Sequence, residues 1–111
     1  MSNEFRQALR LMRRRNPQLA EDGFHRLRDI AADHIEELIE EFNNERDHGI
    51  RCWLLELIGD ARSDRALPVL AAELHGDDAA LRDWAVRGLQ NLDTPESRRL
   101  LWRWAQNRAG G

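Results

Sequence analysis

The fold class this sequence predicts is all-α, built from stacked helix pairs, and three observations predict it. Apolar residues recur at three- and four-residue intervals almost throughout, as on the buried stripe of a helix, and extended apolar and polar alternation is scarce. Residues suited to opening a helix return about every dozen positions. The chain also matches itself at a fixed offset, the separation of Trp53 from Trp84 (84 − 53 = 31).

The opening residues divide the chain. Ser2, Asn16, Asp33, Asp47, Ser63, Asp78 and Thr94 each carry a side-chain oxygen that can accept from the unpaired amides of a first helical turn. Asn16 and Thr94 are each followed by proline, whose missing amide is no loss at a first helical position. Asp33 with Glu36 has the spacing of a capping box. Helices are therefore expected over 3–14, 17–31, 34–45, 48–60, 64–75, 79–92 and 95–108. Pro68 falls near the start of the fifth, where it predicts a bend and not a break. Helices this short gain their stability from packing on neighbours, and short connections make those neighbours antiparallel.

The self-match places Ile50-Arg51-Cys52-Trp53-Leu54-Leu55 on Leu81-Arg82-Asp83-Trp84-Ala85-Val86, Ile58 on Leu89, and Leu38-Ile39 on Val69-Leu70 on Leu100-Leu101. The helix openers obey the same spacing: Asn16, Asp47 and Asp78; Ser2 and Asp33; Ser63 and Thr94. Ala20 stands where the later repeats have Arg51 and Arg82, the divergence expected of a terminal unit.

On these residues the chain resembles a known family. Asp47-His48-Gly49-Ile50-Arg51 through Leu57-Ile58-Gly59-Asp60, then Ala66-Leu67-Pro68-Val69-Leu70 and Asp78-Ala79-Ala80-Leu81-Arg82, look like the short HEAT-like repeats also found in bilin lyases. The resemblance covers about residues 33–101 well and implies a right-handed α-solenoid of about three and a half helix pairs, seven short helices in all. It also implies a structural inter-repeat ladder in which Arg51 and Arg82 are held by the helix-start aspartates Asp47 and Asp78 and by neighbouring carbonyls. Trp53 and Trp84 depart from the family, which usually has a small residue there. A packed ring at these sites would make replacement by alanine costly, the more so at Trp84, and an exposed one would not.

Composition bounds the function. The 111 residues form one expected domain over 1–109 with a disordered tail at 110–111. No apolar run is long enough for a membrane span, no signal peptide is visible, and the single Cys52 allows no internal disulfide, so a cytoplasmic location is expected. All 17 basic residues are arginine, and tyrosine is absent, a usage that suggests a GC-rich bacterial genome. His25, His34, His48 and His75 lie on different helices without metal-ligand spacing, and phosphate-loop and nucleophile-elbow motifs are missing. Cys52, near a helix start with His48 one turn away, has the spacing of an activated thiol, yet fits a packing position better. The expectation is a non-enzymatic chain with no metal and no cofactor.

Two charged features remain. Glu36, Glu37, Glu40 and Glu41 lie opposite the apolar stripe Ile35, Leu38, Ile39 and Phe42, a solvated face that would steer a basic partner. In the last helix Trp102 projects away from Ser97, Leu100, Leu101 and Trp104, beside Arg98, Arg99 and Arg103. An aromatic ring rimmed by guanidinium groups has the composition of an interface centre; the alternative is that Trp102 folds sideways onto the penultimate helix near Val86 or Leu92. The reading is a protein-binding module that engages another protein, as an adaptor or an inhibitor or immunity-type protein, or pairs with a second copy through the last helix. Nucleic-acid binding is the alternative, drawn from the arginine-rich ends and opposed by the net charge of −3. A bilin-lyase-like enzyme component is a lesser one, resting on the resemblance alone.

Overall fold

A computed structural model describes residues 3–110, with side chains through residue 108, and among these the structure is all-helical. The order is α1 (Asn3–Met12), α2 (Pro17–Ile30), a 3₁₀ turn (Ala31–His34), α3 (Ile35–Asn44), α4 (His48–Asp60), a second 3₁₀ turn (Asp64–Ala66), α5 (Leu67–Leu74), α6 (Ala79–Leu92) and α7 (Pro95–Gly110).

Most of the expected openers cap their helices. Asn16 accepts from the amides of Gln18 and Leu19, Asp47 from Ile50, Asp78 from Leu81 and Ser63 from Arg65. Thr94 does more than expected: its hydroxyl accepts from the Ser97 amide while the Ser97 hydroxyl accepts from the Thr94 amide, a reciprocal box closed by serine. Ser2 lies outside the described residues. The capping box at Asp33 does not form. The chain never becomes extended there; it runs from α2 through the 3₁₀ turn into α3, so Asp33 sits within helical backbone, and α3 opens at His34 without a side-chain cap. Pro68 stands in the first turn of α5, just after the second 3₁₀ turn. The expected bend is thus a change from 3₁₀ to α geometry, where the absent proline amide is least missed. The tail expected at 110–111 is corrected at Gly110, which ends α7; Gly111 lies outside the described residues.

Helix α1 packs on α2, α3 on α4 and α5 on α6, while α4 also packs on α6 and touches α2, and α7 rests on α5 and α6. The result is elongated, 45 × 24 × 21 Å. Its core is one cluster running from Phe5 and Ala8 in α1 to Leu81, Ala85 and Leu89 in α6. In α4 Leu54, Leu55, Leu57 and Ile58 are all fully buried, a pattern possible only for a helix covered on more than one side. Glycines permit the closest approaches. A methyl on Gly23 would meet the Ala8 carbonyl at 2.6 Å, and one on Gly59 would meet the Gly88 Cα at 2.8 Å. The helices cross backbone to backbone at these points.

Two non-glycine residues adopt left-handed backbone, Arg62 (φ 52°) after α4 and Asp93 (φ 50°) after α6. Asp93 serves as the C-cap of α6, its amide donating to the Leu89 carbonyl. The sequence carries no glycine signal at either helix end.

Crossing glycines and exposed ones make opposite predictions. Gly23→Ala and Gly59→Ala should each cost ~1 to 3 kcal/mol, because backbone has to move to admit the methyl. Gly49→Ala, on the exposed first turn of α4 with its nearest neighbour at 3.4 Å, should instead gain up to ~1 kcal/mol. Urea denaturation of the three variants checks the pattern.

Candidate functional site

The most exposed feature of apolar chemistry lies on α7. Among the described residues Trp102 is the one large hydrophobic side chain left exposed, at 64%. Position on the helix explains it: Ser97 is buried, Leu100, Leu101 and Trp104 are half-buried against the core, and Trp102 lies off that stripe. Its neighbours one turn back are Arg98 and Arg99. Arg98 is held by the Asp93 carboxylate and carbonyl, both at 2.9 Å. Arg99 and Arg103 are exposed without a carboxylate partner among the described residues; with Glu96 and Leu100 they line a shallow groove. Arg108 stacks over Trp104 with its guanidinium carbon 4.8 Å from the ring centroid.

The acidic face of α3 is less free than its sequence suggests. Glu36 pairs with Arg65, Glu37 with His34 at 2.8 Å, and Glu41 with Arg13 at 3.2 Å. Arg13 also pairs with Glu45. Of the four glutamates singled out, Glu40, an exposed residue, alone makes no ion pair among the described residues. The arginine partners of Glu41 and Glu36 lie 28 and 29 residues away, so no local pattern reveals them. Sequence reasoning likewise missed Arg28, which joins α2 to α4 through Glu56 at 3.0 Å and Asp60 at 3.2 Å.

The side chains of the aspartates and arginines of the implied ladder do not pair with one another; only the helical backbone bonds from Arg51 to Asp47 and from Arg82 to Asp78 join them. Asp47 and Asp78 cap their helices; Arg82 donates to the Gly76 carbonyl at 2.9 Å and so closes the turn before α6. Arg51 lies over the Phe42 ring at 4.2 Å, its buried Nε without a hydrogen-bond partner. The contact that does bridge α4 to the start of α6 is His48 Nε2 to Asp78, at 2.8 Å.

His48 Nε2 also lies 3.9 Å from Cys52 Sγ. This is not a relay geometry: a catalytic histidine holds its acid and its nucleophile on opposite nitrogens, and here both meet the same one. Burial and the charge of Asp78 push the thiol pKa up, against the direction that activates a cysteine. The remaining histidines are structural or peripheral. His34 is half-buried and stacked on Phe5 at 5.0 Å, while His25 and His75 are exposed.

Both interior tryptophans are half-buried. Trp53 packs against Phe24 of α2 with ring centroids 5.2 Å apart, and Trp84 carries the Arg87 guanidinium over its ring at 4.8 Å. Each borders a depression. Trp53 with Met12, Ala20 and Ile50 floors a groove of about 460 Å³ beside Arg14 and Arg15. Trp84 with Arg28, Arg87, Glu56 and Asp60 lines a polar cleft of about 250 Å³ over Gly59 and Gly88. No helix among the described residues is long and apolar enough to cross a membrane, and no cluster of three or more potential metal ligands occurs there.

Three carboxyls have displaced pKa values. Burial works against ionisation of Glu45, but the amides of Asp47 and Arg46 and the Arg13 guanidinium outweigh it and hold the group below its ordinary 4.5. The Leu81 amide, then His48, hold Asp78 below its ordinary 3.8. Glu56 moves the other way, raised by burial and by Asp60 despite Arg28. Comparison with protein-family models, with curated proteins and with solved structures finds no match for this chain.

The pH dependence follows from these directions. A carboxyl whose folded pKa is lowered stabilises the fold at pH values above its unfolded pKa, and that contribution disappears as pH falls through the folded pKa. Glu45→Gln should therefore cost ~1 kcal/mol or less at pH 7, and the difference from the parent chain should close as the pH drops well below 4.5. Thermal melts of both proteins between pH 7 and pH 3 read this directly; a gap that persists at the acid end would contradict it.

Proposed function

We propose that the chain is a non-catalytic protein-interaction module, a right-handed α-solenoid of HEAT-like helix pairs that presents its α7 end to another protein. The pairwise packing of α1 with α2, α3 with α4 and α5 with α6, with α4 bridging α2 and α6, supports the solenoid reading, as does the elongated outline. The observation that carries the function is Trp102, exposed at 64% beside arginines that lack carboxylate partners. Tryptophan and arginine dominate interface energetics because each combines large contact area with directional polar groups. An adaptor or an inhibitor of another protein would use such an end in the same way.

An acidic face on α3 remains a weaker candidate for a basic partner, since its charge is largely spent on Arg13, Arg65 and His34. Nucleic-acid binding is the second reading, favoured by the exposed Arg14, Arg15, Arg99 and Arg103 and opposed by the net charge of −3.

Affinity capture with mass spectrometry, run in parallel on the parent chain and Trp102→Ser, tests the proposal. The substitution should change stability by no more than ~0.5 kcal/mol, since the ring is exposed. It should weaken the captured complex by ~30-fold or more, the scale of a hot-spot residue. Partners retained equally by both proteins, or a complex dispersed by nuclease, would overturn it.

A further inference from the structure

The groove floored by Trp53 coincides with a departure from the repeat. Ala20 of α2 stands where the self-match puts Arg51 of α4 and Arg82 of α6. Arg51 lays its guanidinium over the Phe42 ring, 4.2 Å from the centroid, whereas Ala20 has only a methyl. The groove of about 460 Å³ is lined by that methyl and by Met12, Ile50 and Trp53. Exposure one position away records the difference: Leu81 of α6 is sealed at 2%, while its counterpart Ile50 is half-buried. The opening lies at the internal junction of α2 and α4, at the end of α1 away from Asn3.

Charge on the walls of this same groove identifies its occupant. Arg14 and Arg15 line it, are exposed, and have no carboxylate partner among the described residues. Asp47, the carboxylate that lines it with them, already accepts from the Ile50 amide. Arg13, engaged by Glu41 and Glu45, also lines a second depression along α1 with Arg6 and Arg10, which are exposed and likewise without a carboxylate partner among the described residues. A basic track that runs past an apolar pocket fits an extended ligand bearing separate carboxylates, which fork-shaped donors favour. A polynucleotide fits less well. Glu41 and Asp47 line the track and would meet its continuous phosphates, and the Trp53 ring is already packed on Phe24.

We propose that this groove is a second binding site, apart from the α7 end, and that it receives an extended acidic segment of a protein. An aromatic side chain of that segment seats on Met12, Ile50 and Trp53, since sulfur and indole both make favourable contacts with a ring. Carboxylates next to the aromatic pair with Arg14 and Arg15. The pocket supplies the anchor and the guanidinium groups supply the selection for acidic sequence.

Synthetic probes test it: a short peptide with a phenylalanine followed by glutamates, the same peptide with lysine for glutamate, the glutamate peptide with serine for phenylalanine, and an oligothymidylate. Fluorescence anisotropy measures Kd, and indole and methyl NMR shifts locate binding. The glutamate peptide with its phenylalanine should shift the Trp53 indole and the Ile50 methyls, and should bind about 10-fold or more tighter than either other peptide. Arg14→Glu with Arg15→Glu, both exposed, should move the preference to the lysine peptide, an exchange that loss of folding could not produce. Ala20→Met, which fills the floor without adding charge, should weaken the glutamate peptide by about 10-fold with the NMR shift dispersion of the fold intact. The proposal is overturned by absence of glutamate-peptide binding, by equal affinity for the glutamate and lysine peptides, by full affinity without the phenylalanine, by tighter binding of the oligothymidylate at Trp53, or by shifts centred on Trp102. Such a failure leaves the α7 reading standing, because capture that depends on Trp102 reports on a different surface.

Discussion

The structure depends first on the crossing of α4 and α6 at Gly59 and Gly88. Because neither residue has a side chain, the two backbones touch, and a methyl on Gly88 would stand 3.1 Å from the Gly59 Cα. That approach lets α4 be covered by α6 while α2 and α3 cover its other sides, so that Leu54, Leu55, Leu57 and Ile58 are buried together. Burying four large aliphatic side chains on one helix is worth several kcal/mol, against a total stability of the order of 5 to 15 kcal/mol. Helices as short as these have no independent stability to fall back on.

Around this centre, charged groups work as links between neighbouring pairs. Arg13 to Glu41 and Glu45, Arg28 to Glu56 and Asp60, Arg65 to Glu36 and His48 to Asp78 all join different pairs. Each is exposed or half-exposed and contributes ~1 kcal/mol or less. Their repeated placement across each junction matters for register more than for stability. It also accounts for part of the charge on α3, where Glu36 and Glu41 pair with arginines of adjacent elements.

What the sequence made legible was local chemistry. The caps at Asn16, Asp47, Ser63, Asp78 and Thr94 were readable because a cap needs only its own side chain and the next three amides. The place of Trp102 off the stripe of Ser97, Leu101 and Trp104 was readable from helical periodicity, but periodicity left open whether the ring folds onto α6, and only the structure shows it exposed. Asp33 misled, since it has a capping side chain but lies where the chain stays helical from α2 into α3. The ion pairs of Arg13 and Arg65 were invisible because their partners lie about a repeat away, in contacts that exist only after stacking. The left-handed turn at Arg62 has no glycine to announce it. At the ladder implied by the resemblance, Arg82 does donate to a neighbouring carbonyl, while the side chains of Asp47 and Asp78 go to helix amides.

The central place of α4 and α6 in the packing implies a gradient of local stability, because terminal helices have neighbours on fewer sides. Native-state hydrogen exchange, resolved by residue, measures that gradient most directly. The amides around Leu54 to Ile58 and Ala85 to Leu89 should open only with global unfolding, while those beyond Leu101 in α7 should exchange through a lower-energy local opening. Amides of α7 protected as strongly as those of α4, or α4 amides exchanging through local fraying, would contradict the account.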